Sequence, residues 1–186
     1  MVKEKSFNPA PLGLMGFGLT TVLLNLINAG ILSPDALGIV LPMGIFYGGL
    51  AQIIAGLLEA KNRNTFGTVA FTSYGLFWLS FVAMKVLPAL GLAPEPSTVA
   101  VGAYLIAWGV FTALLTAGTF KSPRTLQLVF ITLTILFFLL SIGDLTGSTK
   151  IKVIGGLEGI LCGSLAIYLA TADILNEVYE KKTLPV

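Results

Sequence analysis

The sequence predicts an all-α, polytopic membrane protein with six transmembrane helices. Three observations carry this. Of the 186 residues, 55% are hydrophobic and only 11% are charged. Together with a mean hydropathy of +0.92, this is too apolar for a soluble domain. The apolar residues gather into runs of about 20, the length that crosses a hydrocarbon core. Each run is closed by charge, Pro or Gly over a few residues, so neighbouring helices are expected to be antiparallel.

The spans are read near 11–30, 37–58, 66–87, 99–120, 125–143 and 153–172. Between them lie SPD at 33–35, EAKNRN at 59–64, LAPEPS at 92–97, KSPR at 121–124 and GDLTGSTK at 143–150. The chain reads as one transmembrane domain, 1–186, with no room for a soluble ATP-hydrolysing engine and no G-x-x-x-x-G-K-[ST] loop. A net charge of +2 is too small to indicate nucleic acid. There is no His and a single Cys, Cys162, so imidazole relays, an intrachain disulfide and a metal cluster are all unsupported. No cofactor is expected. The partners are lipid and a small solute.

The first span opens on Asn8, Pro9, Ala10, Pro11, Leu12, Gly13 and Leu14, then turns apolar. At helical spacing Phe17, Thr21, Leu24, Asn25 and Asn28 share one face, with Thr20 beside it. Polar groups on one stripe of an oily helix are costly toward lipid and should line a helix contact or a pathway. The second span holds Pro42, which predicts a kink or a separate leading segment. It then repeats Gly44, Gly48, Gln52 and Gly56 with Gly49 alongside, a small-residue track that favours close helix packing. The buried amide of Gln52 needs partners, and Asn25 or Asn28 would supply them.

In the third span, FTSYGLFW sets Tyr74 among aromatics, and a buried tyrosyl hydroxyl needs a partner. Lys85, near the end of this span, reads as a snorkelling residue. Nothing in the fourth span points to chemistry. The sixth carries Gly155, Gly159 and Gly163, then Ala166 and Ala170, a second small-residue track. The two tracks together point to self-association. Glu158, inside that span, is a candidate for proton coupling and equally for a packing pair at the rim. Glu59 and Asp173 are expected at helix ends, facing water.

Cation placement gives the orientation. With both termini on one side, Lys3, Lys5, Lys61, Arg63, Lys121, Arg124, Lys181 and Lys182 share it, and Lys85, Lys150 and Lys152 lie opposite. That bias places the termini in the cytoplasm. Phe17, Tyr74 and Leu133, on the first, third and fifth spans, are 57 and 59 residues apart. The spacing fits three helical hairpins about a pseudo-threefold axis, and equally six evenly spaced helices of no common ancestry.

NPAPLGL, FYGGLAQIIAGLLE, FTSYGLFW and the closing CGSLAIYLA, LNE and LP together resemble the acetate uptake transporter family. That family comprises succinate/acetate permeases and their fungal acetate and ammonia-export relatives. The resemblance runs from Asn8 to Pro185. It implies a pore with a hydrophobic constriction at the matching Phe17, Tyr74 and Leu133, and a substrate-size position at Ala166. It further implies acetate, with succinate in some members, moved with protons or down its gradient. A homohexamer with one pore per subunit, in the inner or plasma membrane, is also implied. Thr20, Thr21, Asn25, Asn28 and Gln52 would then line the substrate pathway, since hydroxyls and amides bind a carboxylate without a fixed cation to trap it. Two other readings stay open. One is a channel for a small neutral solute such as ammonia or urea, and the other a non-transporting membrane scaffold. No nucleophile–base pair or nucleotide fingerprint supports an enzyme.

Overall fold

The computed structural model describes residues 7–186. Lys3 and Lys5, two of the cations in the charge bias, lie outside the described residues. The described chain is helical throughout: α1 (Ala10–Asn28), α2 (Leu37–Ile45), α3 (Gln52–Lys61), α4 (Thr65–Ala89), α5 (Thr98–Gly118), α6 (Arg124–Thr146) and α7 (Thr149–Val178). A 3₁₀ turn (Pro34–Ala36) leads into α2, and a π-helical segment (Phe46–Ala51) joins α2 to α3. Pro34–Lys61 thus forms one interrupted span, and six helices are long and apolar enough to cross a membrane.

The interruption follows from Pro42, which lies inside α2 and cannot donate to the helical ladder. The ladder widens at Phe46, four residues on, and the wide turn contains Gly48 and Gly49. The starts of α4, α5 and α7 are capped by side chains. Asn64 accepts from Gly67 N, Ser97 from Ala100 N and Ser148 from Ile151 N.

Between hairpins the closest contacts run α3 to α4, α5 to α6 and α7 to α1, and within the last hairpin α6 also packs closely on α7. Each hairpin's second helix therefore meets the next hairpin's first, and the ring closes on itself. Glycines repeat the pattern in detail. A Cβ on Gly18 would lie 2.7 Å from Gly163 O and 3.1 Å from Ile167 N. One on Gly75 would lie 2.7 Å from Gly49 O and 3.0 Å from Ile53 N. Gly18 follows Phe17 and Gly75 follows Tyr74, so two of the ring's contacts are the same contact made twice. At the third, Thr134 follows Leu133, and its hydroxyl lies 3.1 Å from that of Thr116 on α5.

Both small-residue tracks are used inside the chain. Gly156, Gly159 and Gly163 receive α1, Gly155 receives α6, and Gly44, Gly49 and Gly56 receive α4. These faces are covered, which removes them as the surface for self-association. Many large apolar side chains face outward, Leu114 at 73% exposed being the extreme, as suits contact with lipid.

The C-terminal tail folds back on α7. Asn176 accepts from Thr183 N at 2.6 Å and Leu184 N at 2.9 Å and donates to Leu184 O at 2.9 Å, while Tyr168 donates to Pro185 O at 2.7 Å. This clamp is the physical content of the LNE and LP motifs.

Candidate solute pathway

Two cavities open toward opposite ends of the helix ring. The first, of about 450 Å³, is bordered by the chain around Asn8, the α3–α4 turn and the start of α6. The second, of about 290 Å³, is bordered by the ends of α1 and α4 and the starts of α5 and α7. Phe17 and Leu133 border both, and Tyr74 borders the first. All three are buried, at 6%, 3% and 4% exposure. The rings of Phe17 and Tyr74 are 6.1 Å apart between centroids.

Tyr74 is held from every side. Its ring centroid is 5.7 Å from Phe111, 6.1 Å from Phe130 and 6.2 Å from Trp108. Its hydroxyl donates to Thr112 Oγ1 at 3.0 Å, and Thr112 donates to Trp108 O at 2.7 Å. The partner required by a buried tyrosine is thus on the fourth span, where no residue pattern pointed to chemistry.

The α1 stripe falls on the second cavity: Phe17, Thr21, Leu24, Asn25 and Asn28 all border it. Asn25 donates to Thr21 O at 2.9 Å and Asn28 to Asn25 Oδ1 at 3.0 Å, which fixes both amides. Thr21 Oγ1 is buried with no hydrogen-bond partner. The indole Nε1 of Trp78, a neighbour on the same cavity, is also without a partner. A hydroxyl and an indole N–H are thus enclosed beside this cavity without an acceptor.

Gln52 borders the first cavity instead. It donates to Gly48 O at 2.7 Å, and its Oε1 is unpaired. Asn25 and Asn28 border the other cavity, so the expected amide pairing with Gln52 does not form. Thr20, fully buried, bonds to Gly16 O at 2.8 Å, and Ala166 is enclosed in the core; neither borders a cavity. Of the signature, Asn8, Pro9, Ala10 and Leu14 border the first cavity, and Gly13 seats the Phe71 ring. Asn8 Oδ1 accepts from Ala10 N at 3.1 Å, opening α1 where Pro11 can occupy its first turn.

The acids depart from expectation. Glu59 is only 4% exposed, accepts from Asn64 Nδ2 at 2.9 Å and borders the first cavity with Asp173. Gly67 leaves the room for it at the start of α4. Lys85 borders the mouth of the second cavity. Glu158 borders neither cavity, forms no ion pair with Lys85, and buries both carboxyl oxygens without a partner. No group of His, Cys, Asp and Glu fit for a metal ion occurs among the described residues.

Six spanning helices around two opposed cavities that share a side-chain waist define a multi-pass membrane transport protein. The chain belongs to the GPR1/FUN34/yaaH family, whose profile matches residues 1–185. It is 54% identical over 186 residues to the succinate-acetate/proton symporter SatP of Escherichia coli K12, covering 100% of this chain and 98% of that one. The solved structure of the bacterial acetate channel SatP superposes with a TM-score of 0.95 at 55% identity, covering 98% and 99% of the two chains. Ammonia transport outward protein 2 of Saccharomyces cerevisiae is 41% identical over 180 residues, covering 92% of this chain and 62% of its own. The named relatives are transporters or channels, not enzymes.

Proposed function

We propose that the chain carries small monocarboxylates, chiefly acetate, across a cell membrane through the two cavities and the waist between them. The observation that carries this reading is that Phe17 and Leu133 border both cavities, so a solute passing from one to the other passes them. Tyr74 completes the constriction. Thr21, Asn28 and Gln52 offer hydroxyl and amide groups on either side of it. An apolar waist strips water and selects by width, while neutral donors bind a carboxylate without trapping it. The cation bias orients the first cavity toward the cytoplasm of an inner or plasma membrane. The assembly is a homo-oligomer, a hexamer by family resemblance, and native mass spectrometry would count its subunits.

Uptake of labelled acetate into liposomes containing the purified protein is the direct test. Uptake above that of empty liposomes supports the reading, and none would overturn it. The E. coli relative is named a proton symporter. Glu158 fits the coupling role as a carboxyl within the spanning part of α7 whose oxygens have no partner. Its link to the pathway is Gly159, the next residue, against which the Asn25 side chain is seated. Glu158→Gln is expected to abolish accumulation driven by a proton gradient and to leave acetate exchange in place. Unchanged accumulation would remove Glu158 from coupling. The yeast relative's name favours a second reading, a neutral path for ammonia, which an uncharged waist also permits. Inhibition of ammonia flux by acetate would place both on one path.

A further inference from the structure

The two cavities differ in charge. Glu59 and Asp173 border the first, with no cation among the described residues, whereas Lys85, Lys152 and Asp144 border the second. The charges of the second belong to one layer. Asn28, Lys85 and Asp144 all border it, and they stand 57 and 59 residues apart on α1, α4 and α6, as Phe17, Tyr74 and Leu133 do. Each lies about three helical turns beyond its waist residue, a rise of about 16 Å, which sets this layer at the mouth of the cavity. Two layers lie between at helical spacing, Thr21, Trp78 and Phe137, then Leu24, Phe81 and Leu140. Neither carries a charge. On this side of the waist the sign of the pathway is therefore decided at its mouth.

Within that layer one charge is left over. Lys152 Nζ lies 2.6 Å from Asp144 Oδ1, so the acid is neutralised by its own partner. The pair is held in place by packing: a Cβ on Gly143 would lie 2.7 Å from Lys152 Cγ, and the glycine leaves the notch that the lysine stem occupies. Asn28 is uncharged and donates to Asn25 Oδ1. Lys85 is exposed and forms no ion pair among the described residues. Glu95 shares a shallow adjoining cleft with it, but neither Glu95 nor Asp35 borders the second cavity. We propose that Lys85 is the specificity-determining residue of this mouth, which admits the solute as an anion. An unmatched ammonium at the rim of a cavity raises the local concentration of carboxylate over that of a neutral acid or an amine. Lys152 contributes by masking the one acid that would cancel it. Lys85 is exposed and far from the waist, so it collects the anion without trapping it. The solute enters as the carboxylate, and a coupled proton travels apart from it.

This proposal rests on the carboxylate reading above, and its test separates the two. Initial uptake of labelled acetate, at low acetate, is measured in right-side-out and inside-out membrane vesicles at two ionic strengths, with choline chloride exchanged for sucrose. Where the second cavity faces the medium, wild-type uptake is expected to exceed that of K85Q by about three- to tenfold at low salt. The ratio should approach one at about 0.5 M salt, where a surface charge is screened within a few ångströms. K85E should widen the difference and K85R should remove it. K150Q, at an exposed lysine that borders neither cavity, should behave as the wild type. K152Q uncovers Asp144 and should lose the salt dependence, which D144N in the same chain restores. A wild-type to K85Q ratio that is one throughout, or that does not change with salt, overturns the proposal, because impaired folding lowers uptake equally at both ionic strengths. A K152Q loss that D144N fails to restore also overturns it. A wild type that takes up no acetate in either orientation would instead fail the transport reading, and this proposal with it.

Discussion

Replacing Gly156 with alanine is expected to lower the melting temperature of the purified protein by about 5–10 °C, whereas Gly38→Ala should leave it unchanged or raise it slightly. The contrast is geometric. A Cβ on Gly156 would lie 2.2 Å from Ala29 N, 2.6 Å from Asn28 C and 2.7 Å from Ala29 Cα. These are backbone atoms at the end of α1, and no rotamer change relieves the clash. The only escape is to part α1 from α7, which also unseats the Asn25 side chain from Gly159 one turn further along. Gly38 has nothing within 4 Å, so alanine there adds only helix propensity, about 0.5–1 kcal/mol. Equal melting temperatures for the two variants would show that α1 and α7 do not approach as closely as described. Thermal unfolding followed by tryptophan fluorescence in detergent is sufficient, with both variants on the same wild-type background.

How much of this was legible in the sequence depended on whether a feature is local. The α1 stripe could be read because helical spacing alone puts Phe17, Thr21, Leu24, Asn25 and Asn28 on one face, and they border one cavity. The six spans could be read because length and hydropathy decide them. The role of the glycines could be read, but not their partners. A small-residue track says that something comes close, and only the ring of contacts says that it is this chain's own α1, α4 or α6. Glu59 was misread because an acid near a helix end usually meets water. Here the start of α4 closes over it through Asn64 and Gly67. Thr112 and Trp78 carried no signal, because what distinguishes them is a tertiary partner in one case and the lack of one in the other. Tyr74 pointed toward Thr112 by requiring a partner, without saying on which span. Leu133 is one apolar residue in the run ITLTILFFLL, so periodicity could not single it out. The family resemblance alone did.

Leu133 is also where the proposed waist is most open to test. Leu133→Ala is expected to admit lactate more readily than the wild type does, while acetate uptake persists. Tyr74 is a poorer choice, since its ring and hydroxyl tie α4 to α5 and α6 and its removal would disturb the packing as well as the path. Phe17→Ala would widen the waist by more, but it also takes away the ring packed against Tyr74. Leucine to alanine removes three carbons and no polar group. In a closed core that change costs about 2–5 kcal/mol, more where a larger void is left. Leu133 borders a cavity on either side, so much of the space it vacates joins one that already exists. The loss of stability should therefore fall at or below the low end of that range. The two readouts together discriminate between roles. A waist residue gives a changed acid profile at small cost in stability. A core residue gives an unchanged profile at large cost, and that result would remove Leu133 from the constriction.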